Sequence, residues 1–258
     1  MNKRVVYFYN VLELQEIVLC IIAGLLAGII NTLAGSGSII TLSLLTFLGL
    51  PTNIANGTNR IGLFFQSAGS TFKFYQQREL ILSHRLGLLT LSVSGAIFGV
   101  MVASRLPEDH FQSILGGVFC VLFLIVLFEP HKHLKHIEKF SKLMPLIMAG
   151  IGFYAGFIQV GAGVFMLAVM HVVWGKSYTS LNPLKVFIIL LINIIALVGY
   201  GLVNQIHWEF GLLLAIGQLI GGLVGVRLNN LKGKIEPFLK MLILGIILIS
   251  ILRFWHLI

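Results

Sequence analysis

Runs of about 20 apolar residues follow one another along this chain, separated only by short polar breaks. A bilayer core takes about 20 helical residues to cross. Segments near 58–76, 86–104, 111–128, 184–203, 208–228 and 238–256 each match that length. With 57% of its 258 residues apolar and 10% charged, the chain cannot hide its surface in a water-soluble core. It reads as an all-α integral membrane protein.

Two further apolar stretches, 17–48 and 143–174, are too long for one span. A continuous helix of roughly 30 residues would exceed ~45 Å against a core of ~30 Å. Glycines interrupt each in its middle: Asn31-Thr-Leu-Ala-Gly-Ser-Gly-Ser38 in the first, Gln159-Val-Gly-Ala-Gly163 in the second. Both are expected to be broken helices.

The halves of the chain resemble each other. Gly24 to Asn31 (GLLAGIIN) lies over Gly152 to Gln159 (GFYAGFIQ), and Gly95 to Gly99 (GAIFG) over Gly221 to Gly225 (GGLVG). Asn56 to Arg60 (NGTNR) falls near Asn182 to Lys185 (NPLK). Three matches in one order point to an internal duplication. The expected organisation is a surface segment 1–16, a first repeat 17–128, a cytoplasmic linker 129–142 and a second repeat 143–258, all in one membrane domain.

The net charge of +9 fits Lys- and Arg-rich cytoplasmic loops better than a nucleic-acid surface, since no basic stripe with exposed aromatics lies outside the apolar runs. Loop charge also bears on the broken segments. If both cross the membrane, the basic loops 129–142 and 227–234 fall on opposite sides. If both are re-entrant, those loops share the cytoplasm with Arg78, Arg85 and Lys176, and three true spans per half force the copies into opposite orientations. The re-entrant, inverted arrangement is the expectation. Glycines 24, 28, 95, 99, 152, 156, 221 and 225 are read as helix-packing positions.

The first break carries the chemistry. Asn31, Thr32, Ser36 and Ser38 stand with Gly35 and Gly37 in an otherwise apolar segment. A half-helix starting near Ser36 to Ser38 would direct unpaired N–H groups and a positive dipole end toward the break, where a negative group is welcome. Gln159, Gly161 and Gly163 repeat the plan with fewer hydroxyls. The alternative is a pair of kinks filled by neighbouring helices. Asn56 and Asn182 are candidate caps of the helices that follow, placing Thr58, Asn59, Arg60 and Lys185 in first turns. A cation there opposes the dipole, so each answers either to an anionic guest or to snorkelling toward headgroups. All nine Asp and Glu residues fall at or beyond span ends. A core of amides, hydroxyls and cations without carboxylate selects anions.

Other signals are weaker. Gly175-Lys176-Ser177 resembles the end of a phosphate-binding loop, but Met170 stands where that loop needs glycine. His131, His133 and His136 allow a metal site, though a solvated linker explains them better, and no metal or cofactor is expected. Cys20 and Cys120 lie in apolar runs and form no disulfide framework. His171 ends the second broken segment and is a proton-coupling candidate.

The stretch Ala23 to Arg60 (AGLLAGIINTLAGSGSIITLSLLTFLGLPTNIANGTNR) and its second-half equivalent resemble the TauE/SafE family of sulfite exporters and toluene-sulfonate permeases. The resemblance covers nearly the whole chain. Its most specific parts are the Asn-x-x-x-Gly-x-Gly break and Gly57-Thr58-Asn59. It implies a multi-pass, plasma-membrane secondary transporter, not an enzyme, for sulfite or organosulfonates, and a homo-oligomer is compatible with it. Ser36 and Ser38 depart from the fuller glycine run of the family, and Asn182 to Lys185 from its Thr-Ser pair. The competing functions are an anion channel and a metal-dependent membrane enzyme built on the histidine cluster.

Overall fold

The computed structural model describes residues 13–82, 86–128 and 142–254. The 131–136 histidine cluster, most of the expected linker and the first twelve residues lie outside them. Among the described residues there are ten α-helices and one short 3-10 turn, at Asn229–Leu231. The helices are α1 Leu14–Leu33, α2 Ser38–Phe47, α3 Thr52–Gln76, α4 Leu86–Ala103, α5 Glu108–Phe128, α6 Met144–Phe157, α7 Ala162–Trp174, α8 Tyr178–Leu202, α9 Trp208–Leu228 and α10 Lys232–Phe254. Five of them (α1, α4, α5, α8 and α9) are long and apolar enough to cross a membrane.

Both long apolar stretches are broken where the glycines stand. The five helices of each half follow the same order: a pair around a break, a 25-residue helix, then two of 18 to 23 residues. The packing exchanges between halves in matching fashion. α1 lies on α9 and α6 on α4, while α3 and α8 pack on each other, on α9 and on α4 respectively.

Glycine makes the two closest crossings possible. A Cβ on Gly24 or Gly28 would strike the carbonyls of Leu214 and Gln218, and one on Gly217 or Gly221 those of Ile21 and Leu25. The other crossing repeats this: Gly95 and Gly99 against Ala149 and Phe153, Gly152 and Gly156 against Ser92 and Ala96. Lipid tails supply no hydrophobic drive between helices, so such close backbone contact provides the van der Waals attraction that holds them.

Helix starts differ from the sequence expectation. Pro51 stands at the N-cap of α3, so Arg60 is the ninth residue of the helix, and Asn56, rather than capping α3, donates its Nδ2 to the Phe157 carbonyl that ends α6 (3.0 Å). Ser177 caps α8, its hydroxyl accepting the N–H of Ser180, and Lys185 is the eighth residue. α1 begins at Leu14 with a capping box between Glu13 and Glu16, three residues before the expected span. The polar tracts looked like helix entries because polar side chains are costly in lipid. They sit within helices because surrounding helices satisfy them.

Pro183 is therefore inside α8. It has no N–H for the carbonyl of Thr179, four residues earlier. The Nδ2 of Asn229 donates to that carbonyl instead (3.3 Å). Asn182 in turn donates to Asn229 Oδ1 at 2.8 Å. This clamp repairs a proline gap and gives Asn182 a structural role.

Candidate functional site

At the first break the chain leaves α1 through Ala34 and Gly35, whose N–H groups both bond to the carbonyl of Ile30 (2.7 and 3.0 Å). Gly35 has φ +88°, a left-handed turn that favours glycine. Gly37 then packs back onto the carbonyl of Ala27, so the chain doubles beside the helix it has left. Asn31 Oδ1 accepts the N–H of Ser38 at 3.1 Å, capping α2 from the end of α1. The second break is built likewise. Ile158 is extended, Gly161 has φ +72°, and the Phe165 ring of α7 meets the Tyr154 ring of α6 edge-on at 5.3 Å. The two breaks touch, Gly35 lying directly against Gly163. Among the described residues, the N–H groups of Ser36, Gly37, Gly161 and Gly163 have no backbone acceptor.

The two cations sit deeper than the sequence suggested, and each serves the opposite half. Arg60 and Lys185 are both 0% exposed. Arg60 Nη1 donates to the carbonyl of Ala155 (2.8 Å) and to Gln159 Oε1 (2.9 Å), and Nη2 to the carbonyl of Gly156 (3.0 Å). These carbonyls end α6. Lys185 Nζ donates to the carbonyls of Asn31 and Thr32, at 2.8 Å each, which end α1. A helix C-terminus presents unpaired carbonyls and about half a negative charge. The first half thus caps a broken helix of the second, and the second caps one of the first. Neither snorkels.

Among the described residues the buried polar side chains include no Asp or Glu. Several donors next to the breaks also lack protein partners: Asn31 Nδ2, Ser38 Oγ, Arg60 Nε and Asn193 Nδ2.

Other sequence candidates bind the scaffold together. Thr32 Oγ1 receives Gln66 Nε2 (2.8 Å) and meets Ser70 Oγ (3.1 Å), facing α3 and α9. Asn59 Oδ1 accepts from Thr41 (2.7 Å) and Gln218 (3.3 Å). Thr58 Oγ1 accepts the N–H of His207, at the entry of α9 (2.8 Å). His171 is not brought to the breaks. It lies in the last turn of α7, its Nδ1 against the Lys176 carbonyl (2.8 Å) and its ring stacked on Tyr178.

Among the buried polar residues that escaped the sequence reading are Gln66, Asn193, Tyr200 and Gln218. Asn193 touches Arg60 Nη1 through Oδ1 at 3.5 Å. Tyr200 carries its ring 5.4 Å from the guanidinium carbon and its hydroxyl onto the Gly156 and Phe157 carbonyls. A lone amide in an apolar run, as in LLINIIALV or AIGQLIGG, was the available signal.

Helix ends held in the middle of an apolar helical assembly survive in lipid only where protein or a solute path satisfies them, and that is the plan of a multi-pass membrane transporter. Comparison with protein families gives the same class and narrows it. The family described as "Sulfite exporter TauE/SafE" matches residues 20–254, and the chain belongs to that family. It is 26% identical over 225 residues to the "Probable membrane transporter protein ORF9" of Sinorhizobium sp, a match covering 84% of this chain and 85% of that one. It is 24% identical over 226 residues to a "Probable membrane transporter protein" of Haemophilus influenzae, covering 86% and 88%. To the "Probable membrane transporter protein YunE" of Bacillus subtilis it is 22% identical over 266 residues, covering 92% and 96%. No solved structure matches the chain.

Proposed function

We propose that this transporter carries small anions: sulfite, which its family's description names, or an organosulfonate, which the sequence resemblance implies. One observation carries the reading: Arg60 is fully buried among carbonyls and amides with no described carboxylate buried beside it, and donors at both breaks (Asn31 Nδ2, Ser38 Oγ, Arg60 Nε, Asn193 Nδ2) are buried without partners. Taking an ion out of water costs several kcal/mol even after relaxation. The carbonyls ending α1 and α6 offset about half a charge each. The starts of α2 and α7 return about as much positive charge to the same place, so the deficit stands at the breaks. A small anion removes it.

The guest would be held by Asn31, Ser36 and Ser38 with the amides of the first break, and by Gln159 with those of Gly161 and Gly163. Since Gly35 lies against Gly163, it would sit beside that contact. Thr32, Thr58, Asn59 and Asn182 act by fixing the helices that present these groups. The halves 17–128 and 143–258 are read as inverted copies, each with a re-entrant pair and three spans, that rock about the site in alternating access. The doubling back at both breaks supports re-entry, and the exchanged contacts of α1 with α9 and α6 with α4 support the two-fold relation.

Purified protein is to be screened by thermal shift against sulfite, thiosulfate, methanesulfonate, acetate, and sodium and potassium as chlorides. A ligand present at about 100 times its Kd stabilises the folded state by ~2.7 kcal/mol. The expected result is a rise in melting temperature with a sulfur oxyanion beyond that of either chloride salt. A rise with a cation alone, and none with any anion, removes the reading.

A further inference from the structure

Resting on that reading, we infer that the anion leaves Arg60 along the seam between α3 and α8, with Asn193 and Thr71 as its contacts there.

At 25 residues α3 is long enough to cross a membrane, yet it is not among the helices apolar enough to do so. Protein encloses it instead, with α8 and α9 as its main neighbours. Asn56, Arg60, Ser67 and Thr71 recur at steps of four, seven and four residues, and all four are buried. On a helix such steps keep to one face. The matching helix of the other half is built the same way: Asn193 and Tyr200 stand seven residues apart on α8, also buried. The two faces meet. Asn56 Nδ2 donates to Tyr200 Oη (2.9 Å), and Arg60 Nη1 lies 3.5 Å from Asn193 Oδ1. Phe74 and Val186 share one packed cluster, so the antiparallel pair is still in contact beyond Thr71. A polar seam thus runs between equivalent helices of the two halves, the surface across which one repeat rocks on the other.

The hydroxyls distinguish a path from a packed interface. A serine or threonine inside a helix can turn its hydroxyl onto the carbonyl one turn back. Ser67 does so with Leu63 (2.6 Å), Ser92 with Leu88 (2.8 Å) and Ser250 with Ile246 (2.7 Å). Thr71 does not. Its hydroxyl is buried without a partner, as are Asn193 Nδ2 and Arg60 Nε. Buried polar groups in native proteins find partners, and water or a passing oxyanion supplies them here. From Arg60 to Thr71 is a rise of ~16 Å along α3. Asn193 and Thr71 offer hydrogen bonds without charge, which lets an anion held at Arg60 move on, since transit needs weak successive contacts after a strong one.

The test uses full-length protein in which Cys20 and Cys120 are replaced by alanine and Thr71→Cys, Asn193→Cys, Ser92→Cys or Phe72→Cys is added. Ser92 is a buried control, and Phe72 is an exposed one on another face of α3. Each variant in proteoliposomes is treated with 2-sulfonatoethyl methanethiosulfonate, washed, and assayed for uptake of radiolabelled sulfite. A cooperative thermal transition verifies folding. Thr71→Cys and Asn193→Cys should be modified about tenfold or more faster than Ser92→Cys, more slowly when methanesulfonate is present, and should then lose most of their uptake. Phe72→Cys should keep its uptake after treatment. Thr71→Val keeps the side-chain shape and removes the hydroxyl; it should melt no lower than the wild type yet transport severalfold more slowly, whereas a hydroxyl that only fills space would leave transport unchanged. Thr71→Cys and Asn193→Cys no more reactive than Ser92→Cys while saturable sulfite uptake persists, or full uptake by Thr71→Val, overturns the seam and spares the anion reading. No saturable uptake of sulfite or of methanesulfonate by the wild-type chain overturns both.

Discussion

At the first break the polar groups turn back on their own half: Asn31 reaches seven residues along to cap α2. At the second, Gln159 stands at the position matched to Asn31 but gives its carbonyl to Arg60 of the other half. The cations mirror this difference. Arg60 spreads over two carbonyls, two further side-chain oxygens and Gln159, whereas the Lys185 bonds described above go to two carbonyls of α1. A duplicated unit has therefore kept one electrostatic solution, a cation from one copy on a helix end of the other, while assigning the polar work differently on its two sides.

The largest expected effect comes from removing those cations one at a time. Arg60→Ala strands two carbonyls ending α6 and the Gln159 side-chain carbonyl together and should cost about 3–5 kcal/mol, at ~1–3 kcal/mol for each buried acceptor left unsatisfied. Lys185→Ala strands the two carbonyls at the end of α1 and should cost less, about 2–3 kcal/mol. Thermal unfolding in detergent ranks them, and equal losses would erase the asymmetry.

Next comes the contact between the breaks. Gly35→Ala meets both a left-handed backbone and the Gly163 backbone, for about 2–4 kcal/mol. Gly49 has φ +91° but open space around it, so Gly49→Ala should cost only the backbone preference, ~1–2 kcal/mol. If the two variants melt alike, the breaks are not in contact.

Smaller again is the pair that defines the comparison. Gln159→Leu removes a hydrogen bond to a charged group and should cost about 1.5–3 kcal/mol. Asn31→Ala removes a cap, at ~1 kcal/mol, yet should impair sulfite uptake more than its small stability cost implies. Last, Asn229→Ala leaves the Thr179 carbonyl without its substitute donor and should cost ~1 kcal/mol with no change in anion affinity. A large loss of affinity would return Asn182 to the site.

Much of this arrangement was legible in the residues. Apolar run lengths gave the spans at α4, α5, α8 and α9, while α1, expected as half of a broken segment, is itself long and apolar enough to cross and α3 is not among the helices that are. The excess length of two runs gave the breaks, and glycine spacing gave the crossings at Gly24, Gly28, Gly95 and Gly99. The cations were found, but their partners were not. A sequence displays which side chains are polar, not which backbone carbonyls lie opposite them, so the C-terminal ends of α1 and α6 went unseen as the acceptors for Lys185 and Arg60. The starts of α3 and α8 were misplaced for a related reason. NGTNR and NPLK are polar enough to suggest helix entries, and only the enclosure of α3 and α8 by other helices makes them tolerable inside. Asn193 and Gln218 stand alone in apolar runs, where a single amide carries little periodic signal.

Uptake of radiolabelled sulfite into proteoliposomes by the wild-type chain and by Lys185→Gln bears most directly on the claim that buried positive charge at the breaks recruits the substrate. The account predicts saturable uptake in the wild type, competed by other small anions, and a fall of roughly tenfold or more in apparent affinity in the variant while it still unfolds cooperatively. Uptake of equal affinity after the charge is removed would contradict it.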